Sequence, residues 1–190
     1  MKNLLQLCKK WQKNRNCSND NSLFNEQITQ LKNFSWNKMV KTDEPFAMQS
    51  IVDIGVFKHK NKEHAYYITY EQILDRNLRM IYCWFRIFIQ HKNNLQEIGC
   101  LKGAFFDNAF REVKWQQKGL LELIEIDNDF QNLGLGSKLL KIYLNYLISL
   151  GAKTVIAKKA RYSEQLARFY KRFGFEIDNR NISLNLEKYE

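Results

Sequence analysis

The sequence predicts an α/β fold of the α+β kind: a central mixed, mostly antiparallel sheet of about six to seven strands flanked by helices, behind a helical N-terminal extension. Three observations carry this. Residues 51–106 hold four segments rich in β-branched and aromatic residues, parted by short polar breaks. From Gly119 onward the apolar period switches repeatedly between strand and helix. The only proline, Pro45, separates this body from a polar, helix-patterned start. A chain of 190 residues then reads as one domain over 46–190 and an extension over 1–45.

Within the extension, Leu4, Leu5, Cys8 and Trp11 share one helical face, and Phe24, Ile28 and Leu31 share another after the cap-like Asn21-Ser22. Such helices cover one side of a sheet, or serve as a surface for a partner or for a second copy in a homodimer. Strands are expected at Ile51 to Phe57, Ala65 to Tyr70, Met80 to Gln90 and Gln96 to Phe106. The Lys58-His59-Lys60-Asn61-Lys62 run makes the first turn, and Lys92-Asn93-Asn94 closes an antiparallel hairpin. Glu71 to Asn77 reads as one or two helical turns. Leu120 to Asp127 is a strand, and Ser137 to Leu150 is an amphipathic helix ended by Gly151. Thr154 to Ala157 is a strand; Ser163 caps a helix running to Phe173 and halted by Gly174; Phe175 to Ile177 and Ile182 to Leu186 finish the sheet.

Composition excludes several classes. Thirty Lys and Arg against twenty Asp and Glu give a net charge of +10, which suits a polyanionic ligand or RNA contact through a basic surface. The longest apolar run, Ile81 to Ile89, is cut by Arg86 and falls short of the roughly 18 residues of a span, so no membrane partner is expected. The first ten residues lack the apolar length and cleavage site of a secretory signal, which makes a cytoplasmic location the expectation. Cys8, Cys17, Cys83 and Cys100 show no C-x-x-C spacing, and His59, His64 and His91 stand apart. Free thiols and no metal are therefore expected.

The segment Gln131-Asn132-Leu133-Gly134-Leu135-Gly136-Ser137 lies between a strand and a helix. A helix start presents unpaired N–H groups and about half a positive charge, and glycines let an anion approach the backbone. Taken alone, the glycine pair fits a tight turn as well as a pyrophosphate site. The dinucleotide fingerprint fails because Leu139 stands at the third glycine and Lys158 at the acidic position, and no Walker A loop is present.

Gln131-x-x-Gly134-x-Gly136 after a strand, followed by a helix ending Phe169-Tyr170-Lys171-Arg172-Phe173-Gly174-Phe175, resembles the GNAT superfamily of acyl-CoA-dependent N-acetyltransferases. The resemblance covers Leu120 to Ile177, with Phe130 at the family's aromatic position, and implies a GNAT-like sheet. It implies that residues 131 to 137 bind the pyrophosphate of acetyl-CoA as co-substrate, that the Ile126 backbone pairs with the pantetheine arm, and that Tyr170 protonates the departing thiolate. Asn128 replaces a frequent proline, and Ser163 replaces a frequent asparagine that contacts the carrier.

The implied reaction is direct attack of a neutral amine on the thioester within a ternary complex. Freeing a lysine amine at pH 7 costs about 4.6 kcal/mol against about 1 for an α-amine, so a lysine acceptor needs a base more. Glu122 and Glu125, on the strand before the turn, are the candidates, with Asp127 beside them. Tyr170 is also placed to pack simply against Phe169, Phe173 and Phe175. Lys138, Lys141, Lys158, Lys159, Arg161, Arg168, Lys171 and Arg172 are candidates for the carrier's 3′-phosphate or for RNA. The acceptor amine stays open among a small molecule, a protein amine and aminoacyl-tRNA. The alternative is a catalytically silent CoA- or RNA-binding module on the same fold.

Overall fold

The computed structural model describes residues 48–75, 79–91, 94–158, 163–178 and 182–189. The helical extension expected over 1–45 lies outside the described residues, as do Lys159 and Arg161 and the turn at 92–93. The elements are β1 (Met48–His59), β2 (Lys62–Asp75), β3 (Met80–His91), β4 (Asn94–Phe106), β5 (Lys118–Ile126), α1 (Leu135–Ser149), β6 (Thr154–Ala157), α2 (Glu164–Lys171), β7 (Glu176–Ile177) and β8 (Ile182–Asn185), with three short 3-10 turns.

These strands form one sheet in the order β1-β2-β3-β4-β5-β6-β8-β7. Every pairing is antiparallel except β5 with β6, which the α1 crossover requires. Among the described residues the sheet takes in all eight expected strand segments, above the six to seven expected of it, since even the two-residue β7 pairs with β8.

The β1–β2 hairpin turns on Lys60 and Asn61, both at positive φ (47° and 61°), the signature of a two-residue primed turn. One expectation is overturned here: Glu71 to Asp75 is strand, not helix, since β2 stays paired with β3 as far as Asp75 opposite Met80. Backbone pairing along a long hairpin outweighs the weak helical pattern of Glu71-Gln72-Ile73-Leu74. Residues 76 and 77 lie outside the described residues.

One core lies beneath α1. Leu139, Leu140, Tyr143, Leu144 and Leu147 are fully buried from the helix, facing Ile68, Phe85, Ile87, Leu101, Leu121 and Val155 from the sheet. The helix ends as expected: Gly151 sits at φ +82°, donating to Ile148, while Ala152 donates to Leu147. The Lys138 ammonium reaches Asp53 at 3.0 Å and ties the first turns of α1 to β1. α2 starts at Ser163, whose hydroxyl accepts the Leu166 N–H at 3.1 Å, and ends at Lys171, two residues before Phe173. Among the described residues no helix is long and apolar enough to cross a membrane.

Candidate functional site

The geometry of the site begins in β5. Lys102 pairs with Leu123 but Gly103 pairs with Leu121, so Glu122 has no partner on β4 and forms a one-residue bulge. Leu121 is buried under α1 and sends its carbonyl to the Lys158 N–H at 2.9 Å, away from β4. In a regular strand Leu123 and Glu125 would follow it. Instead Ile124 and Ile126 pack on the core while Leu123 and Glu125 are exposed. The bulge also interrupts the regular alternation of faces between Glu122 and Glu125.

The same inserted residue reorients the backbone. The Asp127 N–H meets the Ile98 carbonyl at 2.9 Å on the β4 side, so alternation turns the N–H groups of Ile124 and Ile126 to the other side. There β6 has already stopped, its pairing ending with Ala157 opposite Leu121. A cleft of about 700 Å³ opens at this splay, between the end of β5, the turn into α1 and one face of α2.

All the residues expected to hold the carrier line this cleft except Leu133, which packs on the core: Ile126, Gln131, Asn132, Gly134, Leu135, Gly136, Ser137 and Ser163 are all on its wall. Asn132 (φ 62°) and Gly134 (φ 79°) make the left-handed steps that turn the chain into α1. The first helical bond runs from Lys138 N–H to the Gly134 carbonyl (3.0 Å), so the amides of Leu135, Gly136 and Ser137 precede it. Among the described residues no side chain caps this end, and no acidic residue lies in its first turn. A Cβ on Gly136 would point between Ile126 and Phe169, 3.6 and 3.9 Å from their nearest atoms, so glycine leaves that slot open. Among the described residues none of the lining side chains is a carboxylate, whereas Arg168 and Arg172 are on the wall. Bare amides, a helix dipole, two arginines and no opposing charge fit a diphosphate.

The Gln131 side chain braces the protein itself. Its amide donates to the Ile126 carbonyl and to Asn128 Oδ1, both at 3.0 Å, so Asn128, at the position of a frequent proline, supplies an acceptor. This occupies the Ile126 carbonyl and leaves its N–H facing the splay.

The expected catalytic side chains sit apart from the cleft wall. Tyr170 is buried between Phe169 and Phe175 (ring centroids 5.5 and 5.1 Å), and burial pushes its hydroxyl up to about 12. Its neighbour Phe169 lines the cleft instead. Glu122 is paired with Lys158 at 2.7 Å, and Glu125 stands exposed across from Cys100. Burial pushes the Cys83 thiol up to about 12, which keeps it from acting as a nucleophilic thiolate. Lys138 and Lys158, expected at a phosphate, have carboxylate partners.

Ile124, Gln165 and Leu166 also line the cleft and were missed by the sequence reading. Ile124 follows from Ile126 by the strand period, and the other two follow from Ser163 as a helix cap.

The model of the acetyltransferase (GNAT) family matches residues 44–175. No curated protein matches the chain. Solved structures similar to it include Ard1 from Thermoplasma volcanium, at 16% identity over 53% of this chain and 69% of that one with a TM-score of 0.42. The ribosomal-protein-S18-alanine N-acetyltransferase from Escherichia coli matches at 17% over 54% and 64%, with a TM-score of 0.39. PaiA N-acetyltransferase from Thermoplasma acidophilum, in complex with coenzyme A, matches at 15% over 56% and 60%, with a TM-score of 0.39. The last two are covered for less than two thirds of their length. With 44–175 taken up by one family model and the strand, turn and helix of the cleft all inside that stretch, the chain belongs to the GNAT acetyltransferase family and is an acyltransferase.

Proposed function

We propose that the protein is an N-acetyltransferase that moves the acetyl group of acetyl-CoA to an amine by direct attack in a ternary complex. One observation carries the reading: a cleft without carboxylates among its described residues joins the open N-terminus of α1 to the inward N–H groups of Ile124 and Ile126. The carrier supplies the thioester. The amides of residues 135 to 137 hold its diphosphate. The N–H groups of Ile124 and Ile126 pair with the arm as a sheet edge would and polarise the carbonyl.

Tyr170 is the proton source in this proposal. From a phenol at about 12 to a thiolate near 8.5, stepwise transfer is uphill by about 5 kcal/mol. The proton therefore moves as the C–S bond breaks, replaced from the amine. Glu122 or Glu125 takes the ammonium proton through water, Glu122 only after loosening from Lys158.

The silent-module alternative draws on one fact, that Tyr170 is off the cleft wall. Incubating the protein with isotope-labelled acetyl-CoA and amine pools (polyamines, a protein lysate, charged tRNA), then reading label by mass spectrometry, separates the two. Transfer to one pool above a boiled control supports the enzyme and names its acceptor class. Tight CoA binding with no transfer to any pool supports the silent module.

A further inference from the structure

We propose that Tyr143 is a positioning residue for acetyl transfer, its hydroxyl holding the β5 bulge in the register that aims Ile124 and Ile126 at the cleft. This rests on the acetyl-transfer reading above. Tyr143 stands in the middle of α1 and is fully buried. Its hydroxyl donates to the Leu120 carbonyl at 2.8 Å, with the Ala104 carbonyl 3.3 Å away. Leu120 and Ala104 face each other just before the pairing slips. The hydroxyl therefore grips both strands at the point where the extra residue enters.

A second residue points to the same contact. A Cβ on Gly103 would collide with the Tyr143 hydroxyl and stand 2.6 Å from the Leu120 carbonyl oxygen. Glycine at 103 is what admits the hydroxyl. The Tyr143 ring packs edge-on against Phe85 (centroids 6.1 Å apart), so phenylalanine would keep the packing and lose only the bond.

The placement has a catalytic meaning. Gly136, in the first turn of α1, and Tyr143, two turns further on, belong to one rigid helix. One end of α1 grips the diphosphate and its middle sets the bulge that orients the strand amides, so the helix fixes the distance between the carrier's anchor and its carbonyl. If the bulge slipped, the strand would present Leu123 and Glu125 instead.

The test measures binding of two carrier analogues to the whole chain by calorimetry: the ketone in which a methylene replaces the sulfur of acetyl-CoA, and S-ethyl-CoA, of equal length without the carbonyl. Wild type is expected to favour the ketone by several-fold, up to about tenfold, as one amide bond to a carbonyl allows. In Tyr143→Phe, and in the chain carrying 4-fluorophenylalanine at 143, that preference shrinks to within about twofold while S-ethyl-CoA affinity holds. A merely structural role would weaken both analogues alike, and that result overturns the proposal. So does a preference retained in the variants, or none in wild type. Should Tyr143→Phe not fold, the chain carrying 4-fluorophenylalanine at 143, which fills the place of the hydroxyl without donating a bond, decides the matter. Wild type binding neither analogue overturns the acetyl-transfer reading itself, a distinct result.

Discussion

Gly136 offers the sharpest separation of fold from site. It sits in the first turn of α1, where a Cβ would make only ordinary contacts, 3.6 Å to Ile126 and 3.9 Å to Phe169. Gly136→Ala therefore gains helix propensity, a few tenths to about 1 kcal/mol, which for a chain of this size raises Tm by about 1–3 °C. The same methyl enters the slot proposed for the carrier. At free CoA of 100 times Kd the wild type is stabilised by about 2.7 kcal/mol, a shift of about 5–11 °C. A tenfold loss of affinity in Gly136→Ala leaves about 1.4 kcal/mol and half that shift. Gly136→Leu fills the slot; a hundredfold loss leaves about 0.4 kcal/mol, or about 1–2 °C. Thermal denaturation with and without CoA reads both effects, which have opposite signs in the alanine variant. A full CoA shift in Gly136→Leu would refute the cradle.

Further expectations concern other residues. Gly134→Ala, at φ +79° with open space where the Cβ would stand, costs only backbone strain, about 1–2 kcal/mol, read by urea denaturation; an unchanged midpoint would be inconsistent with the left-handed turn. Tyr170→Phe is expected to lower turnover by about 10²-fold with CoA affinity intact; unchanged turnover removes Tyr170 from the reaction. The tyrosine's hydroxyl is raised from 10 to about 12 by burial, so the folded state holds its proton longer than the unfolded one. Stability from this group is full below pH 10 and lost as pH rises toward 12, about 3 kcal/mol in all, and the phenylalanine variant should lack that share of the alkaline loss. Asp53→Ala breaks the pair with the half-exposed Lys138 and the bond it accepts from the buried Tyr66 hydroxyl at 3.1 Å, and should cost about 1–3 kcal/mol in urea while leaving CoA affinity within twofold.

Local chemistry made much of the fold readable. The polar Lys58-to-Lys62 run marked the turn that Lys60 and Asn61 make at positive φ, Ser163 caps α2 through its own hydroxyl, and Gly151 closes α1 in the left-handed region. The turn from Gln131 to Ser137 was legible as an open, glycine-bearing helix start, the form on which the proposed anion site rests, because glycine spacing and a helix start are local properties. What stayed hidden depends on distant partners. Glu71 to Asp75 takes its strand form from β3, with Glu71 held by Arg86 at 3.0 Å. The Glu122 bulge exists only against β4, and no pattern inside β5 announces it. Lys138 looked free for phosphate until the fold brought Asp53 to it. The burial of Tyr170 depends on Phe175, beyond the helix end, as much as on its neighbour Phe169.

The parallel match of β5 with β6 lasts only four residues, from Lys118 opposite Thr154 to Leu121 opposite Ala157. β6 and its neighbours β8 and β7 are thus joined to the long hairpins by the shortest hydrogen-bonded suture in the sheet among those flanking β5, and α2 rides on their side of it. Breathing motions concentrate where a sheet is stitched most thinly. Because the cleft straddles that suture, with Ile124 and Ile126 on one lip and Ser163 and Phe169 on the other, a molecule lodged there acts as a clasp and couples occupancy to the cohesion of the C-terminal third.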